Sequence, residues 1–128
     1  MIEEDYVSFE VAKLLKEKGF DCLCHSYFRK DNPNNLVKET CGTNWNDTPF
    51  FTSRPTLQMA MKWLREKHNI VVEPFIREDT KYVWYIHRIE TKFNKKYLVF
   101  CWGSKNNKYE RYEEACEAAI KYCLENLI

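Results

Sequence analysis

Apolar residues recur at helical spacing in three stretches of the chain and alternate at strand spacing between them. Ser8 stands where it can cap a helix from Phe9 to Lys18, with Val11, Ala12, Leu14 and Leu15 as one stripe and Gly19 as a left-handed exit. From Asp21 to Arg29, Cys22, Cys24, Ser26 and Phe28 alternate with Leu23, His25 and Tyr27, the period of a strand of mixed polarity. A second helix opens after Arg54-Pro55-Thr56, carries Leu57, Ala60, Met61 and Leu64 on one face, and closes near Asn69. Ile70 to Arg77, Lys81 to Glu90 and Lys96 to Trp102 then predict an antiparallel meander, with polar turns at Glu78-Asp79-Thr80 and Lys92-Phe93-Asn94. Tyr112, Ala115, Cys116, Ala119, Ile120, Cys123, Leu124 and Leu127 trace the buried face of a last helix. Arg111 stands where a Ser or Thr cap for that helix would be expected.

Between Lys30 and Ser53 the pattern fails, because Asn32-Pro33-Asn34-Asn35, Cys41-Gly42-Thr43-Asn44 and Asn46-Asp47-Thr48-Pro49 are turn chemistry. A loop of that length is uncommon in a small domain. The segment is therefore expected either to be partly stranded around Phe50 to Thr52 or to form a variable functional surface. The elements together predict one α+β domain over residues 1–128, an antiparallel sheet of three to five strands on two or three helices. One or two strands of the amino-terminal half are expected to extend the meander, and the carboxy-terminal half has α-β-β-β-α order. The expected core includes Leu15, Leu57, Leu64, Ile76, Ile86, Val99, Ala119 and Leu124.

The meander is apolar on both faces: Val83, Tyr85 and Ile89 oppose Tyr82, Trp84 and Ile86, while Tyr97, Val99 and Cys101 oppose Leu98, Phe100 and Trp102. A sheet with one face in water alternates more cleanly, so the second face needs a cover. That cover is the amino-terminal half, a partner protein or a second copy of the chain.

Composition narrows the class. With 45% hydrophobic, 30% charged and 16% aromatic residues, the 128-residue chain folds as a globular domain. Its net charge of +1 gives no whole-chain field that selects nucleic acid or membrane. Met1-Ile2-Glu3-Glu4-Asp5 is acidic where a signal peptide is basic, and no apolar run approaches the roughly 20 residues of a membrane span. A cytoplasmic protein without a membrane partner is expected, its six cysteines reduced.

Candidate chemistry is sparse. Cys22-Leu23-Cys24-His25 holds zinc-type ligands, but the two cysteines share one strand face, His25 takes the other, and no second close pair follows. No metal or cofactor is expected. Three isolated glycines exclude a glycine-rich phosphate loop, and Cys101, Cys116 and Cys123 read as small core residues rather than nucleophiles. The chain is therefore expected not to be an enzyme. Arg77 to Arg111 holds nine Lys or Arg against four acids, interleaved with Tyr82, Trp84, Tyr85, Tyr97 and Trp102. That pattern suits phosphates and stacked bases, although lysines in turns also keep sheet edges soluble. Trp84, Arg88, Lys95, Lys96 and Trp102 are the candidate interaction residues.

The order helix, three strands, helix from Leu57 to Leu127 resembles that of a double-stranded-RNA-binding domain. The start of the last helix, Arg111-Tyr112-Glu113-Glu114-Ala115-Cys116-Glu117, is acidic where such domains grip phosphates with bases. Three further blocks carry a second resemblance: Tyr6-Val7-Ser8-Phe9-Glu10-Val11-Ala12-Lys13 with Lys18-Gly19-Phe20-Asp21, Pro55-Thr56 leading to Lys62-Trp63-Leu64-Arg65-Glu66-Lys67-His68-Asn69-Ile70, and Tyr112-Glu113-Glu114-Ala115. In these the chain is similar, over nearly its whole length, to small uncharacterised proteins of Bacteroides-type gut bacteria and their phages and prophages. The resemblance implies a mobile-element or accessory setting and brings no catalytic residue. The resulting expectation is a small cytosolic binding module that acts through protein contacts, with a homodimer through the second sheet face as one form. The alternative is a weak nucleic-acid binder that uses the basic aromatic meander.

Overall fold

Each helix in the computed structural model begins where the sequence places a cap or an abrupt change of period. The structure describes residues 1–128 apart from Pro33, Asn35 and Lys105, and of Phe100 the backbone alone. Helix α1 (Phe9–Glu17) is capped by Ser8, whose Oγ accepts the Val11 N–H at 3.2 Å. The chain leaves it through Gly19 at φ 87°, with the Phe20 N–H returning to the Leu15 carbonyl at 2.9 Å. No neighbour lies within 4 Å of a Cβ built at Gly19, so only the backbone angle demands glycine there. Gly19→Ala is expected to lower stability by about 1 kcal/mol with no loss of packing, read from the midpoint of urea unfolding at unchanged slope.

Thr56 caps α2 (Leu57–His68) through the Met59 N–H at 3.1 Å, and Asn69 ends it in the left-handed region at φ 55°. Helix α3 (Tyr112–Asn126) has Arg111 at its cap position and no side-chain cap bond, with Glu113 and Glu114 in its first turn.

The described strands form two antiparallel sheets of three. The first has order β2-β1-β3, from β1 (Cys24–Arg29), β2 (Leu36–Thr43) and β3 (Phe51–Ser53), with a short 3-10 turn at Trp45–Asp47. The second is the meander β4 (Ile70–Ile76), β5 (Tyr82–Lys92) and β6 (Lys95–Gly103). The fold is α+β, with the α-β-β-β-α order in its second half.

Two expectations are corrected here. The amino-terminal strands do not extend the meander; they make their own sheet, because three-residue β3 runs straight into Pro55 and α2, which leads the chain away to β4. Pro74, on edge strand β4, also lacks the N–H a further strand would need. The stretch from Lys30 to Ser53 holds β2 as well as β3. Strand β2 is exposed along most of its length and pairs with β1 across a register break between Cys24 and Ser26, so it has no apolar period to read. Of the predicted turn at Asn32 to Asn35, Pro33 and Asn35 lie outside the described residues.

Leu15, Leu57, Leu64, Ile86, Ala119 and Leu124 are buried as expected, in a core where α2 and α3 meet the inner face of the meander and α1 packs on α3. Ile76 and Val99 are not core: they are 53% and 37% exposed. Ile76 ends edge strand β4, and Val99 sits at the register break of edge strand β6.

Candidate interaction surface

Strand register decides which side chains of the meander meet the helices. Pairs run from Ile70↔Arg88 to Ile76↔Tyr82 between β4 and β5, and from Tyr85↔Gly103 to Lys92↔Lys95 between β5 and β6. Alternation puts Ile70, Val72, Trp84 and Ile86 on the inner face, where all four are buried and α2 and α3 pack. The outer face carries Phe75, Tyr85, His87, Ile89, Leu98 and Cys101.

The five candidate residues do not gather on one surface. Trp84 is in the core at 5% exposure, its ring centroid 5.1 Å from that of Tyr122 and its backbone N–H donated to Ser104 Oγ at 2.9 Å. Arg88 is half-buried and donates from Nη2 to the Leu127 carbonyl at 2.6 Å, which fastens the end of α3 to the sheet. Trp102, half-buried, pairs with Ile86 on the inner side, while Lys95 and Lys96 are exposed at the β5–β6 turn. Strand parity is the cause: Trp84, Arg88 and Trp102 all stand at inward positions.

The outer face is open. Phe75 and Tyr85 meet edge to face at 6.3 Å, and both are exposed, as are Leu98 at 63% and Cys101. Tyr85 lies over Gly103, where a Cβ would stand 3.2 Å from its ring. His87 Nε2 is 3.0 Å from Glu73 Oε2, while His87 Nδ1 is buried without a partner among the described residues. Of the outer positions described, only Val83 is buried. The amino-terminal half, one of the expected covers, packs elsewhere, with α1 against α3 and β3.

Most cations of the meander are already engaged. Lys81 bonds Glu110, Lys108 bonds Asp79 at 2.8 Å, Arg77 lies 3.9 Å from Asp79, and Lys92 lies 3.9 Å from Glu90. The Lys108 bond holds the Asp79 carboxyl below its ordinary range. Lys95 and Lys96 make no ion pair among the described residues, and Lys105 lies outside them. A duplex or strand laid on the meander would find few uncommitted charges.

Three thiols are silenced by burial. It pushes Cys24 and Cys116 to about 11 and Cys123 to about 12, so all three stay protonated at neutral pH and are poor nucleophiles or ligands. Within the Cys22-Leu23-Cys24-His25 run, Cys24 points inward while His25 is exposed, its Nδ1 3.3 Å from the Glu39 carbonyl.

Fold and surface together define a small α+β protein with one covered and one open face on its second sheet. Comparison with protein-family models, curated proteins and solved structures finds no match. No described helix is long and apolar enough to cross a membrane.

Proposed function

We propose that the protein is a non-enzymatic binding module that acts through protein contacts, and that the outer face of its meander takes a second copy of the chain. The observation that carries this reading is the apolar outer face, with Phe75, Tyr85 and Leu98 exposed and Ile89 half-buried, over which no described helix or strand packs. Two such faces stack at about 10 Å, as in a sandwich, and remove their rings and branched chains from water. Charge bears on the orientation of the two copies. The β5–β6 turn carries Lys92, Lys95 and Lys96, whereas Glu78 and Asp79 sit in the β4–β5 turn at the opposite end of the sheet. Antiparallel stacking keeps the two lysine turns apart, whereas parallel stacking would set lysine on lysine. Six free cysteines suit a reducing compartment such as the cytoplasm, and an accessory role in a mobile element belongs to the same proposal.

Sedimentation equilibrium tests the dimer. The wild type is expected to associate with concentration, and Leu98→Lys to weaken association at least tenfold while leaving the thermal melt of the monomer in place. A wild type that stays monomeric at millimolar concentration overturns the reading.

A further inference from the structure

The amino-terminal half carries hollows of its own, built from different chemistry than the outer face of the meander. Two hollows share Lys30: one of about 640 Å³ lined by Arg29, Lys30, Asp31, Phe50 and Phe51, and one of about 390 Å³ whose lining includes Phe9, Lys13 and Lys16. Lys16, on α1, donates from Nζ to the carbonyls of Thr48 at 2.8 Å and Phe51 at 2.7 Å, which pins the turn before β3. The Lys30 N–H donates to the Phe50 carbonyl at 2.9 Å and the Phe50 N–H to Thr48 Oγ1 at 3.0 Å. The turn is thus held at both ends while Phe50 stands 68% exposed.

Cations outnumber acids on the two linings, four to two. Lys13, Lys16, Arg29 and Lys30 make no ion pair among the described residues, and the acids on the two linings are Asp31 and Glu17. Burial and the neighbouring Lys30 both disfavour the charge on Lys16, the lysine that is spent on the two carbonyls of the turn. An exposed ring beside unpaired cations fits a ligand that is flat and negative at once. An acidic side chain would use the cations and leave the ring in water; a nucleotide uses both.

We propose that the larger hollow binds a nucleotide, its base stacked on Phe50 and its phosphate held by Arg29 and Lys30. Lys16 is a positioning residue, committed to the two carbonyls of the turn. The volume lies within the range of roughly 300–1,000 Å³ usual for small-ligand pockets. A free mononucleotide and one unit of a single strand share this chemistry, and the proposal stands independently of the dimer.

The test is a fluorescence-anisotropy titration of the full chain with labelled oligothymidylate at low and near-physiological salt, with adenosine monophosphate as competitor. Phe50→Ala is expected to weaken binding at least tenfold at unchanged salt dependence. Lys30→Gln is expected to weaken it and reduce the salt slope by about one. The Lys95→Gln, Lys96→Gln double variant, at the distant β5–β6 turn, is expected to bind as wild type. Full displacement by the monophosphate supports a free nucleotide as ligand, and resistance to it supports a strand. No binding at low salt overturns the proposal, as does binding that the Lys95, Lys96 variant loses and Phe50→Ala keeps. Should Phe50→Ala fail to fold, amide shift mapping of the wild type with the monophosphate decides: shifts at residues 29–31 and 50–51 support the site, and their absence there sinks it.

Discussion

Trp84→Ala is expected to cost the fold about 3–5 kcal/mol, which is a large part of the 5–15 kcal/mol typical of a domain this size. The indole lies on the inner face of β5 and packs on Tyr122 of α3, so its removal opens a cavity between sheet and helix that neither can close by moving alone. Trp84→Phe separates the causes. Trp84 Nε1 is buried with no acceptor among the described residues, so the phenyl ring keeps much of the packing and removes an unsatisfied donor. That variant is expected to lose about 1–2 kcal/mol. Urea unfolding followed by far-ultraviolet circular dichroism checks both, and a loss under about 1 kcal/mol for Trp84→Ala would refute the inner placement. Leu98→Lys, on the open face, should leave monomer stability within about 0.5 kcal/mol. The pair therefore distinguishes residues that hold the fold from residues that face a partner.

The helices were legible because their signals are local. Ser8 and Thr56 cap, Gly19 and Asn69 exit, and the apolar stripes between them need no knowledge of the rest of the chain. The meander was legible for the same reason, from alternation and two polar turns. Which of its faces is covered was not. Parity sorts Trp84 and Ile86 from Val83 and Tyr85, but both sets are apolar, and only the packing of α2 and α3 chooses between them. Ile76 and Val99 look like core in any window of sequence, yet they lie where β4 ends and where β6 breaks register at the edge of the sheet. Strand β2 is held by its backbone bonds to β1 rather than by a buried face, so its side chains record no period.

The basic hollow was invisible for a different reason. Lys16 reaches a carbonyl thirty-five residues away, and the cations around Phe50 come from α1 and from the end of β1. Periodicity carries no information at that separation. What the sequence did offer was the failure of pattern between Lys30 and Ser53, and the hollow opens along that stretch.

Raising the pH from 7 to 10 is expected to remove about 4 kcal/mol of stability through three buried thiols. Burial holds Cys24 and Cys116 at about 11 and Cys123 at about 12, against an ordinary value of 9.0 in the unfolded chain. Below pH 9 both states keep these protons and the thiols add no slope. Above it the unfolded chain releases them while the folded chain retains them, so the unfolded state binds fewer protons and stability falls, by up to about 1.4 kcal/mol per thiol per pH unit. The loss continues until the folded thiols ionise between about 11 and 12. Lys121, whose pKa is raised by its bond to Glu10, pushes in the same direction, and Lys16, lowered by burial, pushes against it. The comparison that isolates the thiols is urea unfolding at pH 7 and 10, under reductant, for the wild type and for the Cys24→Ala, Cys116→Ala, Cys123→Ala variant. The variant starts from lower stability, but its drop between the two pH values should be smaller by about 4 kcal/mol. An equal drop in both proteins would show that these thiols are not shielded as their burial requires. The same shielding predicts that Ellman's reagent at pH 8 labels exposed Cys41 quickly, Cys101 quickly at concentrations where the chain is monomeric, and these three only as fast as the chain opens, which is the behaviour of packing residues rather than of a nucleophile.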